Sequence, residues 1–278
     1  NVLMAYKQFI ENTKSEGCVF ICAEDENLRN IAKESKKRIV KYGISDDADI
    51  KAENIVLLGF DGSEFDVRYK GSRLGRIKLS ILGLHNVVNS LAAIGVAMEL
   101  GLSFDKIKNT IREFKGADRR FRIMHLDSGI VIIDDYAHHP TEIRATLKAM
   151  ESSGRRIVAV FQPHRFTRTR DLKDQFGKCF DIADHLVVTD IYSADEKPIE
   201  GVSAIDICES AKSYGHKDAH FVPKGDIIKH LIDIVKPGDA LFLLGAGDIG
   251  EMTSMIVESL ERYSSSEAVK RPSREVRC

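Results

Sequence analysis

Short apolar runs that alternate with helical stretches occupy the second half of the chain and leave few folds open to it. From Arg119 onward the runs Ile130–Ile133, Ile157–Gln162, His185–Thr189, Ala219–Val222 and Ala240–Leu244 are separated by helix-patterned stretches. These lie near Thr141–Glu151, Arg170–Ile182, Ser203–Ser213, Gly225–Val235 and Ile249–Arg262. A strand with apolar residues at consecutive positions must be covered on both faces, and the intervening helices supply the cover. The rhythm predicts a mainly parallel, doubly wound α/β sheet.

The first part reads differently. Cys18–Cys22 and Arg38–Tyr42 read as strands around a helix near Glu26–Lys36. Ile55–Gly59, Glu64–Tyr69 and Leu74–Ile81, punctuated by Asp61-Gly62-Ser63 and Lys70-Gly71-Ser72, read as an antiparallel meander. Helices are expected at Asn86–Leu100 and Phe104–Phe114, and a boundary near Gly116–Asp118. The chain opens without an initiator Met on a helical pattern, Asn1–Ile10, as expected of a chain that begins inside a larger protein. The Ser- and charge-rich residues 263–278 are expected to be a disordered tail.

Composition narrows the function classes. A net charge of −1 provides no global basic field to recruit nucleic acid or an anionic membrane. Cys18, Cys22, Cys179, Cys208 and Cys278 are scattered without metal-ligand spacing and read as reduced thiols. With no secretion signal and no apolar stretch long enough to span a bilayer, the expectation is a cytoplasmic protein without membrane or nucleic-acid partners.

Polar residues crowd the ends of two of the buried runs. Asp134-Asp135-Tyr136-Ala137-His138-His139-Pro140 follows Ile130–Ile133, and Gln162-Pro163-His164-Arg165-Phe166-Thr167-Arg168-Thr169-Arg170-Asp171 follows Val158–Phe161. Ligands in open α/β sheets bind where strands end and helices begin. Arginine forks at that place suit an acidic substrate. Gly83-Leu84-His85-Asn86-Val87-Val88-Asn89 opens an Ala-rich helix with Asn86 and Asn89 on one face. Such amides match the edge of adenine, although spacing alone favours helix capping. Gly245-Ala246-Gly247-Asp248-Ile249-Gly250 matches a dinucleotide fingerprint but lacks the following strand and acidic residue. It reads as a tight strand-to-helix turn.

Taken in order, GLHNVVN, GADRRF, DDYAHHPTE, FQPHRFTRTRDL and LLGAGDIG resemble the Mur ligase family. Within it they are most similar to the member that uses L-alanine. The resemblance implies part of a central α/β ATPase domain over residues 1–116 and a C-terminal Rossmann-like domain over 117–262. It implies ATP-dependent joining of L-alanine to UDP-N-acetylmuramate through an acyl phosphate, with Mg²⁺. It further implies that His85, Asn86, Asn89, Arg120 and Asp135 meet ATP, with adenine at the first three and ribose at Asp135. Tyr136, His138, Arg165 and Arg168 would surround the alanine, with His138 and Arg165 at the reacting centre; His139 and His164 could exchange roles with His138. A hinge at Gly116–Arg120 would close the two parts together. No G-x-x-x-x-G-K-[ST] occurs, so the phosphate loop and the main Mg²⁺ ligands are expected in a missing N-terminal part of the same enzyme, and this chain alone is expected not to turn over ATP. The alternatives are a family member adding another amino acid, or a non-catalytic nucleotide-binding or partner module.

Overall fold

The computed structural model describes residues 2–151 and 153–270, with side chains as far as Tyr263. It divides into two compact units, Asn1–Lys115 and Gly116–Cys278.

In the first unit, α1 (Val2–Glu11), β1 (Val19–Cys22), α2 (Glu26–Glu34) and β2 (Ile39–Gly43) lead to β3 (Ile50–Leu57), β4 (Ser63–Tyr69) and β5 (Ser72–Leu79). Two helices, α3 (Leu84–Glu99) and α4 (Phe104–Glu113), complete it. The sheet order is β1-β2-β3-β4-β5. The pairings β1/β2 and β2/β3 are parallel, while β3/β4 and β4/β5 form the antiparallel meander. β3 starts five residues before the expected Ile55. Ile50 and Ala52 are buried while Lys51 and Glu53 are not, a period-two pattern that the charged side chains hide from an apolar-run search. Val87, Leu91 and Ile94 of α3 join Phe65, Val67 and Ile77 in one core. A Cβ at Gly95 would stand 2.2 Å from Ile50 Cδ1, so glycine lets α3 approach the sheet.

The second unit comprises β6 (Arg122–His125), β7 (Val131–Asp135), α5 (Pro140–Glu151), β8 (Ile157–Phe161), α6 (Phe166–Asp171), α7 (Lys173–Cys179) and β9 (His185–Val188). After these come α8 (Ile205–Ser213), β10 (Ala219–Phe221), α9 (Ile227–Ile234), β11 (Ala240–Leu244) and α10 (Thr253–Lys270). The sheet order is β10-β9-β8-β11-β7-β6. Every pairing is parallel except β6/β7. β7, β8, β9 and β11 are buried on both faces, as their continuous apolar runs require. Ile132, Val158, Val160, Val187, Leu241 and Leu243 pack under Ile227 and Leu231 of α9 and Ile256 and Leu260 of α10. The alternate residue Phe161 faces α7 and its end, with its ring 5.3 Å from those of both Phe176 and Phe180.

Three details of the second unit differ from the sequence reading. β6 is an additional edge strand, joined to β7 through Asp127-Ser128-Gly129, where Gly129 has φ +81°. The stretch expected as one helix from Arg170 is two, α6 and α7, with Leu172 between them at φ −114°. α10 continues through Tyr263 to Lys270, where a disordered tail was expected; the rest of that tail, 271–278, lies outside the described residues. Cys18, Cys22, Cys179 and Cys208 carry free thiols, and burial pushes the Cys208 thiol up to about 11. Cys278 lies outside the described residues. No described helix is long and apolar enough to cross a membrane.

Phe161→Ala removes a ring that is wholly buried and should cost about 3–5 kcal/mol. Urea unfolding followed by amide exchange in β8 and β11 checks this, and a loss under 1 kcal/mol would contradict the packing described.

Candidate functional site

The connection into β11 decides which loops meet. The chain runs from β7 to β8 and on to β9 and β10, then returns to insert β11 between β7 and β8. Leu244 therefore sits level with Asp135 on one side and Phe161 on the other. Three loops leave this one edge together: 136–139, 162–165 and 245–252. The glycines of the third loop make the crowding possible. A Cβ on Gly245, which has φ +150°, would stand 3.0 Å from the Gln162 carbonyl oxygen. One on Gly247 would meet Gln162 Oε1 at 2.4 Å and the Tyr192 ring at 2.6 Å, and one on Gly250 would meet Arg119 Cζ at 2.2 Å. The motif is a packing turn. Gln162 fastens it, donating to Asp248 Oδ1 at 2.7 Å and accepting from the Ile249 N–H at 3.0 Å.

The end of β7 places two carboxylates in the interior. Asp134 is 1% exposed and receives Arg119 Nε at 3.3 Å. The same guanidinium donates to the carbonyls of Gly245 (2.7 Å) and Gly247 (3.3 Å). Asp135 is 5% exposed, and its two oxygens each accept a backbone N–H, from Ala137 and Phe121, at 2.7 Å. Burial pushes both carboxyls above the usual aspartate range. For Asp134 it outweighs the Arg119 charge, and for Asp135 it outweighs the two N–H donors. Arg119 and Arg120 both stand over the Tyr136 ring, at 5.5 and 5.4 Å from its centroid.

The histidines after Tyr136 divide by backbone chemistry. α5 starts at Pro140, with Glu142 in its first turn. Glu142 Oε2 accepts the N–H of His138 (3.1 Å) and of His139 (3.2 Å), the reach-back half of a capping box with proline at the first helical position. Burial pushes the Glu142 carboxyl up, but these N–H groups and the His138 ring draw it below its ordinary value. His139 Nδ1 faces the Thr141 N–H at 3.4 Å and so serves the cap. His138 Nδ1 lies 2.9 Å from the Tyr136 carbonyl oxygen. A carbonyl only accepts, so Nδ1 carries the proton and Nε2 the lone pair in the neutral ring. The His138 ring stands 5.6 Å from that of His164 and 5.4 Å from that of Tyr136.

The loop after β8 supplies the cations. His164 stacks on Tyr192 at 5.6 Å, and its Nδ1 accepts from Arg168 Nη1 at 3.2 Å. Burial lowers the His164 and His139 pKa values, and for His164 the Arg168 charge adds to the effect. Arg165 has φ +74° and precedes α6, its N–H held by the Tyr192 carbonyl at 2.8 Å. Its guanidinium is 3.8 Å from Glu196, which also accepts the Thr167 hydroxyl at 2.6 Å and the Thr167 N–H at 3.0 Å.

Unit two thus gathers Tyr136, His138, His164 and Arg168 at one place, with Asp135 beneath them and Arg165 beside them on Glu196. His85, Asn86 and Asn89 lie in the first turns of α3 in the other unit, where Asn86 Nδ2 donates to the Leu82 carbonyl at 2.7 Å. Arg119, Glu142, Tyr192 and Glu196 escaped the sequence reading. Only Glu142 carried a signal, in the spacing His139-Pro140-Thr141-Glu142. Two clefts of unit two, of about 640 and 390 Å³, contain none of Asp135, His138, His164, Arg165 or Arg168. They flank Arg144, already paired with Asp181 at 2.9 Å, so converging chemistry marks the site better than concavity does.

Residues 1–97 match the Mur ligase middle domain, and residues 119–247 match the Mur ligase, glutamate ligase domain. A UDP-N-acetylmuramate--L-alanine ligase of Geobacter sulfurreducens is 45% identical over 92% of this chain and 56% of its own length. The solved UDP-N-acetylmuramate-alanine ligase of Thermotoga maritima is similar at 29% identity and a TM-score of 0.68, covering 97% of this chain and 55% of that one. A MurF ligase of Thermotoga maritima in complex with ADP shares the fold, with a TM-score of 0.68 at 18% identity over 96% of this chain and 58% of that one. The chain spans about half the length of the curated relatives it matches.

Two outcomes test this geometry. Arg119→Ala leaves the Asp134 carboxylate buried without its cation and should cost about 3–5 kcal/mol. Protonation of Asp134 should hold the cost to the lower end, and a double-mutant cycle with Asp134→Asn should show coupling of the two sites. His139 and His164 should titrate below 6.5 by ring-proton NMR. Because the unfolded chain then binds more protons than the folded one, stability is full above pH 6.5 and falls as pH drops from there through the lowered native values. Titration of both rings at or above 6.5 would contradict their burial.

Proposed function

This chain belongs to the Mur ligase family, and we propose that it carries the amino-acid-handling part of an ATP-dependent ligase that joins L-alanine to UDP-N-acetylmuramate through an acyl phosphate. The convergence of Arg168, His164 and His138 beside Tyr136 carries this reading. A zwitterionic amino acid needs a fixed cation for its carboxylate and an acceptor near its amine, and these groups supply both. Arg168 and Arg165 hold the carboxylate. His138 presents its Nε2 lone pair to the amine, because Nδ1 is committed to the Tyr136 carbonyl. As the C–N bond forms, the C–O bond to phosphate breaks and the departing phosphate takes one N–H proton of the attacking amine, whose lone pair was freed when the ammonium gave up its first proton. His138 can accept that proton, while the guanidinium groups offset the negative charge developing on oxygen.

The nucleotide is a substrate in this reading. Asp135 meets the ribose hydroxyls with the lone pairs that the Ala137 and Phe121 N–H groups do not use. Arg120, poised over Tyr136, meets the phosphate side. His85, Asn86 and Asn89 meet adenine, Asn86 with one amide N–H already committed to Leu82. Mg²⁺ requires hard oxygen donors in near-octahedral array. Among the described residues the group of three side chains that could hold a metal is His185, Asp218 and His220, which does not fit it. No residue of this chain is assigned to Mg²⁺.

Titrating the isotopically labelled chain with L-alanine and following the His138 and His164 ring signals tests the proposal. L-Alanine should shift both, and Arg168→Ala should weaken the response by about 10–100-fold, the worth of a charge-assisted pair. Shifts with D-glutamate but not L-alanine would point to a family member with another amino acid. No response at either ring to any amino acid would sink the assignment.

A further inference from the structure

A second polar cluster lies at the opposite edge of the unit-two sheet, where strands begin. His185 opens β9 level with Val158, and Ala219 pairs with Leu186 beside it. The Asp218 carboxylate bridges two imidazoles, with Oδ2 2.7 Å from His185 Nδ1 and Oδ1 2.6 Å from His220 Nε2. On its far side His185 Nε2 is 3.3 Å from His230 Nε2 of α9. The three rings form a triangle, with His185 stacked at 5.1 Å on His220 and at 5.6 Å on His230, which are themselves 6.2 Å apart. One donor atom from each of His185, Asp218 and His220 falls within 4.8 Å of the others. None of these residues has a part in the reaction proposed above.

We propose that His185 Nδ1, a carboxylate oxygen of Asp218 and His220 Nε2 form a binding site for a divalent transition-metal ion of the zinc class. Two imidazole nitrogens and one carboxylate oxygen suit Zn²⁺, Co²⁺ or Ni²⁺ and not Mg²⁺ or Ca²⁺. Without metal, His185 Nδ1–H donates to Asp218 and His230 Nε2–H donates to His185. With metal, the His185 proton moves to Nε2, His230 takes its own proton on Nδ1 instead, and His185 Nε2–H donates to the freed His230 Nε2, the outer hydrogen bond that fixes a metal-bound histidine. Bonds of about 2.0–2.1 Å on a tetrahedral ion put ligand atoms roughly 3.3 Å apart. That is wider than the present hydrogen bonds, so something must move outward by about half an ångström. His185 is 4% exposed and held by its strand, whereas the side chains of Asp218 and His220 are 45% and 50% exposed and free to shift. The fourth position opens to water. The bound ion would tie β9 to β10 and, through His230, to α9.

A chelator-treated, tag-free chain titrated with Co²⁺ and then Zn²⁺ tests this. One equivalent should bind with visible d–d absorption and no thiolate charge-transfer band, Zn²⁺ should displace Co²⁺, and Mg²⁺ should not. His220→Ala and Asp218→Asn, both at exposed side chains, should each weaken binding at least about tenfold. His230→Gln should weaken it by about 10–100-fold without changing the absorption envelope. Circular dichroism of the variants establishes that they fold. A thiolate band would place the ion on cysteines, and unchanged binding in the Asp218→Asn, His220→Ala double variant, or no binding by the parent chain, would overturn the proposal.

Discussion

Inserting β11 between β7 and β8 is the constraint on which the rest of unit two depends. A chain that placed β7 and β8 side by side would need only two loops to coexist at their carboxyl ends. The returning strand forces a third loop between them, and the spacing of neighbouring strands, near 4.8 Å, leaves no room for its side chains. Gly245, Gly247 and Gly250 answer this: each stands where a Cβ would collide with Gln162, Tyr192 or Arg119. A motif that in another setting approaches a pyrophosphate here lets protein approach protein. The wedge also supplies acceptors, because the carbonyls of Gly245 and Gly247 receive Arg119.

That guanidinium links the wedge to the two buried carboxylates. Desolvation raises the carboxyl pKa of Asp134 and Asp135 even though one faces a cation and the other two N–H donors. Burial is therefore the larger effect, and the partners reduce it without cancelling it. Such groups do not make a domain more stable than an apolar core would. Their value is directional. Asp135 fixes the backbone of Phe121 and Ala137 at once, so the chain entering β6 and the chain leaving β7 are set by a single side chain, and Tyr136 is aimed by both.

The parts of this architecture legible in the sequence are those whose signal is local. Runs such as Ile130–Ile133 and Ala240–Leu244 announce strands covered on both faces, and the polar clusters that follow them announce the edge where ligands bind. β6 is short and half-exposed, so its apolar content lies below what a run requires, although Asp127-Ser128-Gly129 is a hairpin signal. The early half of β3 alternates in period two behind charged residues. Arg119 could not be told from Arg120, because its role is set by Gly245 and Gly247, more than a hundred residues away, and adjacent arginines look alike until the sheet order is known. Glu196 and Tyr192 likewise act on Arg165 and His164 through contacts that no spacing encodes.

The three histidines of the site show how position along a backbone divides one side-chain chemistry into separate roles. His139 stands just before Pro140, where a helix needs an acceptor for its orphan N–H groups, and it turns Nδ1 inward to the Thr141 N–H. His138, one residue earlier, gives its backbone N–H to Glu142 and bonds through Nδ1 to the Tyr136 carbonyl, which fixes its tautomer with the lone pair on Nε2. His164 accepts from Arg168 through Nδ1, so its neutral ring carries the proton on Nε2. The two neighbouring rings thus differ in kind as neutral tautomers, since His138 offers a lone pair at Nε2 and His164 an N–H. An amine that must shed a proton and a carboxylate that must be held need such a pair of unlike groups. Burial first, and then a charge that never titrates, lower the pKa of the second one: protonating His164 would set it against Arg168 at 3.2 Å, and the arginine holds its charge throughout the physiological range.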